Sequence, residues 1–290
     1  MKNFIITTDS CSDLPINFVE KMDLRIIPLS VEIDGKSYRD YPDEREIKVK
    51  DFYELLRDKR VAKTSMINVN EFIDFFEEIL KEEKDVLYIG FSSALSGTVN
   101  SAFIAKEEIK DKYPNRKIII IDSLSASMGL GLLISYADKL REQGKSIDEV
   151  ALWIEDNKLK LCHLFTVAHL GTLRRGGRLS GSAAFFGDLL KVKPVLHVNN
   201  EGKLVPLKKA RGRNSSLIML VDMMKERIVD SQNQTIFLSH GDDLETAKNV
   251  GKMIVEQIGV KEIVYGNIGP IIGAHSGPGT IAIFFMGSER

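Results

Sequence analysis

The feature that most restricts the fold is a repeated order of short apolar runs, polar turns and helix-like stretches. Residues 4–8, 86–91 and 117–121 are apolar runs of strand length, and the last two lead into helix-like stretches at 98–112 and 127–141. Strands joined through helices pair in parallel and carry those helices on the sheet faces, so the predicted class is α/β. Residues 69–82 read as a helix with Phe72, Phe75, Phe76, Ile79 and Leu80 on one face, and Asn68 with Glu71 has the spacing of a reciprocal cap. Residues 24–33 and 36–39 flank Asp34-Gly35, a two-residue turn signal, and the hairpin is expected to project from the main sheet.

Further on, strands are expected at 161–167, 194–198, 203–208, 235–240, 262–267 and 280–286. Long helices fit 213–229 and 243–258, and Asn200-Glu201-Gly202 fits a short turn. A helix at 146–158, opened by Ser146 and Glu149, would connect two α/β domains, 1–155 and 156–290.

Composition removes several function classes. With 43% hydrophobic and 28% charged residues the chain is globular, and 290 residues suffice for two medium domains. A net charge of −1 argues against general nucleic-acid binding through phosphate contacts. Cys11 and Cys162 form no disulfide framework and no zinc spacing, and the histidines at 163, 169, 197, 240 and 275 show no His-Glu-x-x-His pattern, so neither metal nor cofactor is expected. The apolar runs are far shorter than a membrane span, and the start of the chain lacks a signal-peptide pattern; the expectation is a cytoplasmic protein with no integral membrane segment. No Gly-x-x-x-x-Gly-Lys-Ser/Thr is present, and Gly129-Leu130-Gly131 lacks the third glycine of a dinucleotide fingerprint.

Four segments carry chemistry. Residues 92–98, Ser-Ser-Ala-Leu-Ser-Gly-Thr, place four hydroxyls between a strand and a helix, where free backbone N–H groups and mobile O–H donors suit an anion; N-capping by Ser96 alone would be the plainer use. Thr64-Ser65 adds two donors in the loop before another helix. Residues 173–180 set Arg174, Arg175 and Arg178 around Gly176-Gly177, and the basic character continues through Lys191, Lys193, Lys203, Lys208, Lys209, Arg211 and Arg213 against Asp188 and Glu201. Such a stretch is either a solvated face or a docking surface for an acidic partner or phosphate-bearing ligand. Residues 268–280, with four glycines and two prolines, read as an irregular loop with His275 at its middle, open to a ligand.

Together these segments resemble the DegV family, whose members are similar to the fatty-acid-binding subunits of bacterial fatty acid kinase. The match covers nearly the whole chain: Asp9-Ser10 with Asp13-Leu14, Thr64-Ser65, residues 92–98 with Asn100-Ser101-Ala102, Asp122-Ser123, residues 173–180, Lys193-Pro194 and residues 273–279. The resemblance implies two α/β domains with a long-chain fatty acid at or near their interface. It implies that Thr64 and Ser96 hold the carboxylate with His275 nearby, and that Ser65, Ser92 and Ser93 are secondary contacts. It also implies a carrier that is not itself an enzyme. The carrier would present the carboxylate to a separate ATP-dependent kinase subunit that makes an acyl phosphate for phospholipid metabolism, with Arg174, Arg175 and Arg178 as the docking surface. The sequence departs from the family after Thr64-Ser65, where Met66-Ile67-Asn68 would alter the tunnel mouth. Two rival readings stand beside it. One is a serine-dependent acyl hydrolase with Ser92 or Ser96 as nucleophile and His275 as base. The other is a phosphoryl-transfer enzyme, for which the sequence lacks a nucleotide motif.

Overall fold

The computed structural model describes residues 4–180 and 192–290, and among these the strands form three sheets. The first is parallel throughout. It takes β1 (Phe4–Asp9), β2 (Arg25–Ile27), β6 (Asp85–Gly90) and β7 (Ile118–Asp122) in the order β2-β1-β6-β7. Between them run α1 (Ile16–Met22), α3 (Val69–Lys81) and α4 (Thr98–Ile109). β1 and β6 are buried almost throughout, as strands covered on both faces must be. The two threonines inside β1 satisfy their hydroxyls on the neighbouring strand: Thr8 donates to the Ile89 carbonyl at 2.8 Å and Thr7 to Leu87 at 3.4 Å. α3 buries Phe72, Phe76, Ile79 and Leu80 and starts at the full Asn68–Glu71 capping box that its sequence announces.

The hairpin at Asp34-Gly35 forms as expected, with Ile33 opposite Lys36, but its setting differs. The 24–33 run is two strands, not one. β2 joins the parallel sheet, and β3 (Ser30–Ile33) pairs with β4 (Lys36–Arg39) in a separate sheet ordered β4-β3-β5. The break falls at Pro28, which cannot donate to a ladder. The third strand of that sheet is β5 (Ala62–Ser65), so Thr64-Ser65 lies in a strand rather than a loop, with Thr64 opposite Val31. β5 follows α2 (Val49–Arg57), whose Phe52 and Tyr53 are fully buried.

The remaining sheet has the order β10-β9-β8-β13-β11-β12. Its strands are β8 (Leu161–Thr166), β9 (Val192–Val198), β10 (Leu204–Arg211), β11 (Thr235–His240), β12 (Glu262–Asn267) and β13 (Ile281–Met286). Alternation along β13 sorts its faces. Ile281, Ile283 and Phe285 join the core under α8 (Arg213–Arg227) and α9 (Leu244–Gln257), while Ala282 and Phe284 face the first sheet.

α5 (Met128–Glu142) lies between the two large sheets, packing on β1 and β6 on one side and on β8, β11 and β13 on the other. Its first ten residues, 128–137, are apolar nearly all round, as a helix segment between two sheets must be. Gly129 and Gly131 are close-approach residues here: a Cβ on Gly129 would meet Phe284 Cδ1 at 2.8 Å, and one on Gly131 would meet the Ser12 carbonyl at 3.1 Å. α6 (Ile147–Asn157), opened by the Ser146–Glu149 capping box, packs on α5, β6 and β7 and hands the chain to β8. Four helices were not read from the sequence: α1, α2, α7 (Leu170–Arg175) and α10 (Pro270–Ser276). The last replaces the irregular loop expected at 268–280. Pro270 sits at the first helical position, where a missing N–H costs nothing and φ is already set for a helix. The overall class is α/β, in two units.

Candidate functional site

In the first sheet the chain passes from β1 to one neighbour, β2, and later returns on the other side as β6. The crevice at the carboxyl ends of β1 and β6 is therefore a topological switch point, the usual place for a ligand in an open parallel sheet. The loops leaving these strands, 10–15 and 91–97, are fixed by one carboxylate. Asp9, fully buried, accepts from the Tyr88 hydroxyl (2.7 Å), the Phe91 N–H (2.9 Å) and the Cys11 N–H (3.0 Å).

Above this crevice a cavity of about 260 Å³ opens between the first sheet, the small sheet and the face of the third sheet that carries Ala282. Its long wall is apolar: Phe165 and Phe284 from the third sheet, Ile271 and Ile272 from α10, and Phe91 and Leu95 from the loop after β6. Its polar lining comprises Thr64, Ser65, Ser96, Arg178 and His275, together with Ser127, His163, Ser276 and Thr280. The best-defined contact there joins Thr64 Oγ1 to His275 Nε2 at 2.9 Å. Burial, and then the charge of Arg178, push the His275 imidazole down to about 4, so it is neutral at pH 7. Its Nδ1 is buried without a partner among the described residues, pressed against Gly176, where any Cβ would collide with it. Arg178 reaches across the opening and donates through Nε to the Leu95 carbonyl (3.2 Å) and through Nη1 to Gly176 (2.7 Å).

A wider cleft adjoins the cavity and shares Thr64, Arg178 and His275 with it. Lys59, Arg60, Lys63, Arg175 and Lys193 line this cleft, whereas Asp242 and Asp243 supply its acidic groups. Asp242 is bound to Arg57 at 2.5 Å. The part of the cavity at Thr64 and His275 therefore faces a mainly cationic opening.

The residues singled out from sequence fare unequally. Thr64, Ser65, Ser96, Arg178 and His275 line the cavity together. Ser96 divides its hydroxyl between Thr98 Oγ1 (2.9 Å) and the Thr98 N–H (3.3 Å), so it also serves the start of α4. Ser92 and Ser93 are elsewhere. Ser92 is wholly buried and donates to the Gly202 carbonyl at 2.9 Å, which ties two loops together. Ser93 is exposed and its N–H binds Asp122 at 3.2 Å. Neither lines the cavity, because the turn after β6 points successive side chains in different directions.

Among the described residues His275 hydrogen-bonds Thr64, and neither Ser92 nor Ser96, so the nucleophile–base pair of the hydrolase reading is not formed in this structure. Arg174 and Arg175 are exposed on α7, and the rest of the basic stretch is scattered. Lys193 binds the Ala168 carbonyl (2.6 Å) and Lys203 pairs with Glu201 (2.6 Å), while Lys191 and Asp188 fall outside the described residues. After Ser65, Met66 does line the cavity and is 54% exposed, at its mouth, whereas Ile67 belongs to the core and Asn68 caps α3.

Sequence reasoning missed the polar support of the cavity. Ser127, at its wall, holds φ +53° and ψ −149°, a region other residues leave to glycine, and donates to Asp13 at 2.5 Å. Asp40 is buried beside it, close to Ser10 and Ile271. Burial raises Asp40 to about 7, against 3.8 in the unfolded chain. A carboxyl raised on folding contributes stability that is complete below the unfolded value and is lost as pH rises through the folded one. Asp40→Asn removes this dependence. The variant is therefore expected to gain about 2 kcal/mol relative to the parent between pH 5 and pH 7.5, read by urea unfolding at both. A difference that does not change with pH would show that Asp40 is ionised throughout.

Among the described residues no group of three or more His, Cys, Asp or Glu is placed to hold a metal ion, and no helix is long and apolar enough to cross a membrane.

Comparison with known proteins agrees with this arrangement. A DegV domain-containing protein of Clostridium perfringens is 46% identical over 290 residues, covering 100% of this chain and 99% of its own. A DegV family protein from Thermus thermophilus, solved for its fatty acid binding, superposes with a TM-score of 0.89 at 29% identity, over 98% of this chain and 99% of the other. A stearic-acid-binding protein from Eubacterium ventriosum gives 0.86 at 26% identity, over 97% and 98%. The model of the DegV family, described as a family of uncharacterised proteins, matches residues 3–288. With both large sheets, the cavity between them and nearly every residue accounted for in that match, the chain belongs to the DegV family.

Proposed function

We propose that this chain binds a long-chain fatty acid, with the carboxylate at Thr64, Ser96 and His275 and the tail along the wall of Phe165, Ala282 and Phe284. The observation that carries the reading is the Thr64–His275 pair set in the lining of a mainly apolar cavity. Relatives whose structures are described as binding fatty acids support it. Ser65 stands at the same lining, and Arg178 brings a positive charge that neutral hydroxyls alone would lack. Tail burial dominates affinity: about fourteen methylenes at about 0.8 kcal/mol each give about 11 kcal/mol before ordering costs. A hydrogen bond to the charged head adds about 1.5–3 kcal/mol, which fixes orientation.

The finer part of the reading is that the chain is a carrier without catalysis of its own. It presents the carboxylate, through the cationic cleft, to an ATP-dependent fatty acid kinase subunit in the cytoplasm, which forms the acyl phosphate. Arg174 and Arg175, exposed beside that cleft, suit docking. The same reading divides the chain into units 1–155 and 156–290 with the ligand between them.

Protein purified without detergent is expected to release a long-chain fatty acid on extraction, identified by mass spectrometry. No extracted lipid and no uptake of added fatty acid would reject the binding function. Thr64→Val and Ser96→Ala are expected to keep the fold and slow acyl-phosphate formation with the kinase by about tenfold or more. Turnover at the parent rate in both would reject the head-group assignment.

A further inference from the structure

α10 carries His275 in its last turn, yet it has no cap of its own at the other end. Gly269, at the N-cap, offers no side chain, and Pro270 has no N–H. Three N–H groups remain at this end, those of Gly269, Ile271 and Ile272, and two carboxyls from far away in the sequence face them. Asp13 Oδ1 accepts from Gly269 at 2.9 Å, and Asp40 lies beside Ile271. The fit is tight: a Cβ on Gly269 would lie 2.8 Å from Asp13 Oδ1 and 3.3 Å from Asp40 Oδ2. Neither carboxyl forms an ion pair among the described residues, and Asp40 Oδ2 has no hydrogen-bond partner there. Asp13 is itself steadied by Ser127, whose hydroxyl also meets Ser239 at 3.2 Å. Tyr53 completes the seat by donating to the Ile268 carbonyl at 3.0 Å.

We infer that Asp13 is a positioning residue for the head-group site, with Asp40 packed beside it: it caps α10 from outside and, through it, holds His275 against Thr64. The inference rests on the reading of Thr64 and His275 as the carboxylate contacts. A helix of seven residues has little stability of its own, so its direction is set by what fixes its ends. An apolar seat would hold it just as well against sliding loose. It would leave the Gly269 N–H unpaired, and the first turn would open to satisfy it. That opening rotates the last turn, where His275 makes its single hydrogen bond.

The test uses Asp13→Ala, Gly269→Ala, Thr64→Val and the double variant Asp13→Ala/Thr64→Val in the full chain. The ring nitrogen signals of His275 are followed by NMR in ligand-free protein, and the affinity for a fluorescent fatty acid is measured in parallel. Asp13→Ala and Gly269→Ala are each expected to move the His275 Nε2 signal toward its position in Thr64→Val and to weaken binding about tenfold. The double variant binds no more weakly than Thr64→Val, since both changes act on one contact. Asp13→Asn, which keeps an acceptor for Gly269, stays within about twofold of the parent.

If Asp13→Ala does not fold, Gly269→Ala alone and combined with Thr64→Val carries the same test; its φ of −67° admits alanine. An unmoved His275 signal in Gly269→Ala, or affinity losses that multiply in the double variant, overturns the inference even if the parent binds fatty acid. A His275 signal that responds in a parent that binds none upholds the positioning role and removes the proposed function instead.

Discussion

Ala282→Phe is expected to abolish fatty-acid binding while leaving the fold intact. Ala282 lies in β13, opposite Phe165 of β8 and Ser239 of β11, and its side chain lines the cavity at the middle of the third sheet. A phenyl ring there extends into space already open, so it meets no packed neighbour that must move. It also occupies the path of the tail. Displacing about five methylenes at about 0.8 kcal/mol each removes about 4 kcal/mol of binding, close to a thousandfold in affinity. Ile283, the next residue, is the control. It is wholly buried on the opposite face under α8 and α9, and enlarging it to Phe overpacks a filled core at a cost of about 1–3 kcal/mol in stability, with binding retained. Titration with a fluorescent fatty acid and urea unfolding separate the two outcomes. An Ala282→Phe protein that binds within threefold of the parent would show that the tail does not run along β13.

What the sequence made legible follows from what is local. β1, β6 and β7 are continuous apolar runs because both faces of a parallel sheet are covered, and such runs can be read residue by residue. The caps of α3 and α6 are pairs three residues apart, so they too are local. The elements that bring Thr64 and His275 to the cavity are not. β5 is four residues long with an alternating burial pattern too short to distinguish from a loop, and it becomes a strand only because β3 lies beside it. α10 was hidden by its own glycines and prolines, and the carboxyl that caps it stands some 250 residues earlier. The hydroxyl cluster at 92–98 misled in a related way. Its composition suits an anion site, but turn geometry sends Ser92 inward to Gly202 and Ser93 to solvent, leaving Ser96 at the cavity. Direction of side chains in an irregular turn is set by backbone angles that residue types alone do not specify.

Arg290→Ala is expected to destabilise the protein by about 3–5 kcal/mol, the largest loss from any single side chain outside the apolar core. The guanidinium has five N–H donors, and the structure gives it five acceptors. Nε donates to the Leu161 carbonyl (2.9 Å), Nη1 to Leu124 (2.7 Å) and Asn199 (3.1 Å), and Nη2 to Lys158 (2.8 Å) and Ser125 Oγ (3.2 Å). None of these is a carboxylate, and burial pushes the group down to about 10, so it is still charged at pH 7. Truncation therefore unties four carbonyls that together join the end of α6, the start of β8, the turn before β10 and the turn after β7; Asn199 keeps the Gly202 N–H and Leu161 keeps His163 Nδ1, whereas Leu124 and Lys158 are left without another partner among the described residues. Lysine restores the charge but presents its donors from one atom, and cannot span this set; Arg290→Lys should recover less than half of the loss.

The consequence reaches the cavity. Leu124 holds φ +49° and Ser127 φ +53°, two strained positions in one turn, and Arg290 restrains the first as Asp13 restrains the second. Ala126 and Ser127 of that turn line the cavity, so the Arg290→Ala protein should also bind fatty acid more weakly than its lower stability alone requires. Urea unfolding measures the first effect, and titration well below the unfolding midpoint measures the second. A loss under 1 kcal/mol would mean that water replaces the guanidinium at the Leu124 and Lys158 carbonyls, and Arg290 would then be an ornament of the fold rather than its clasp.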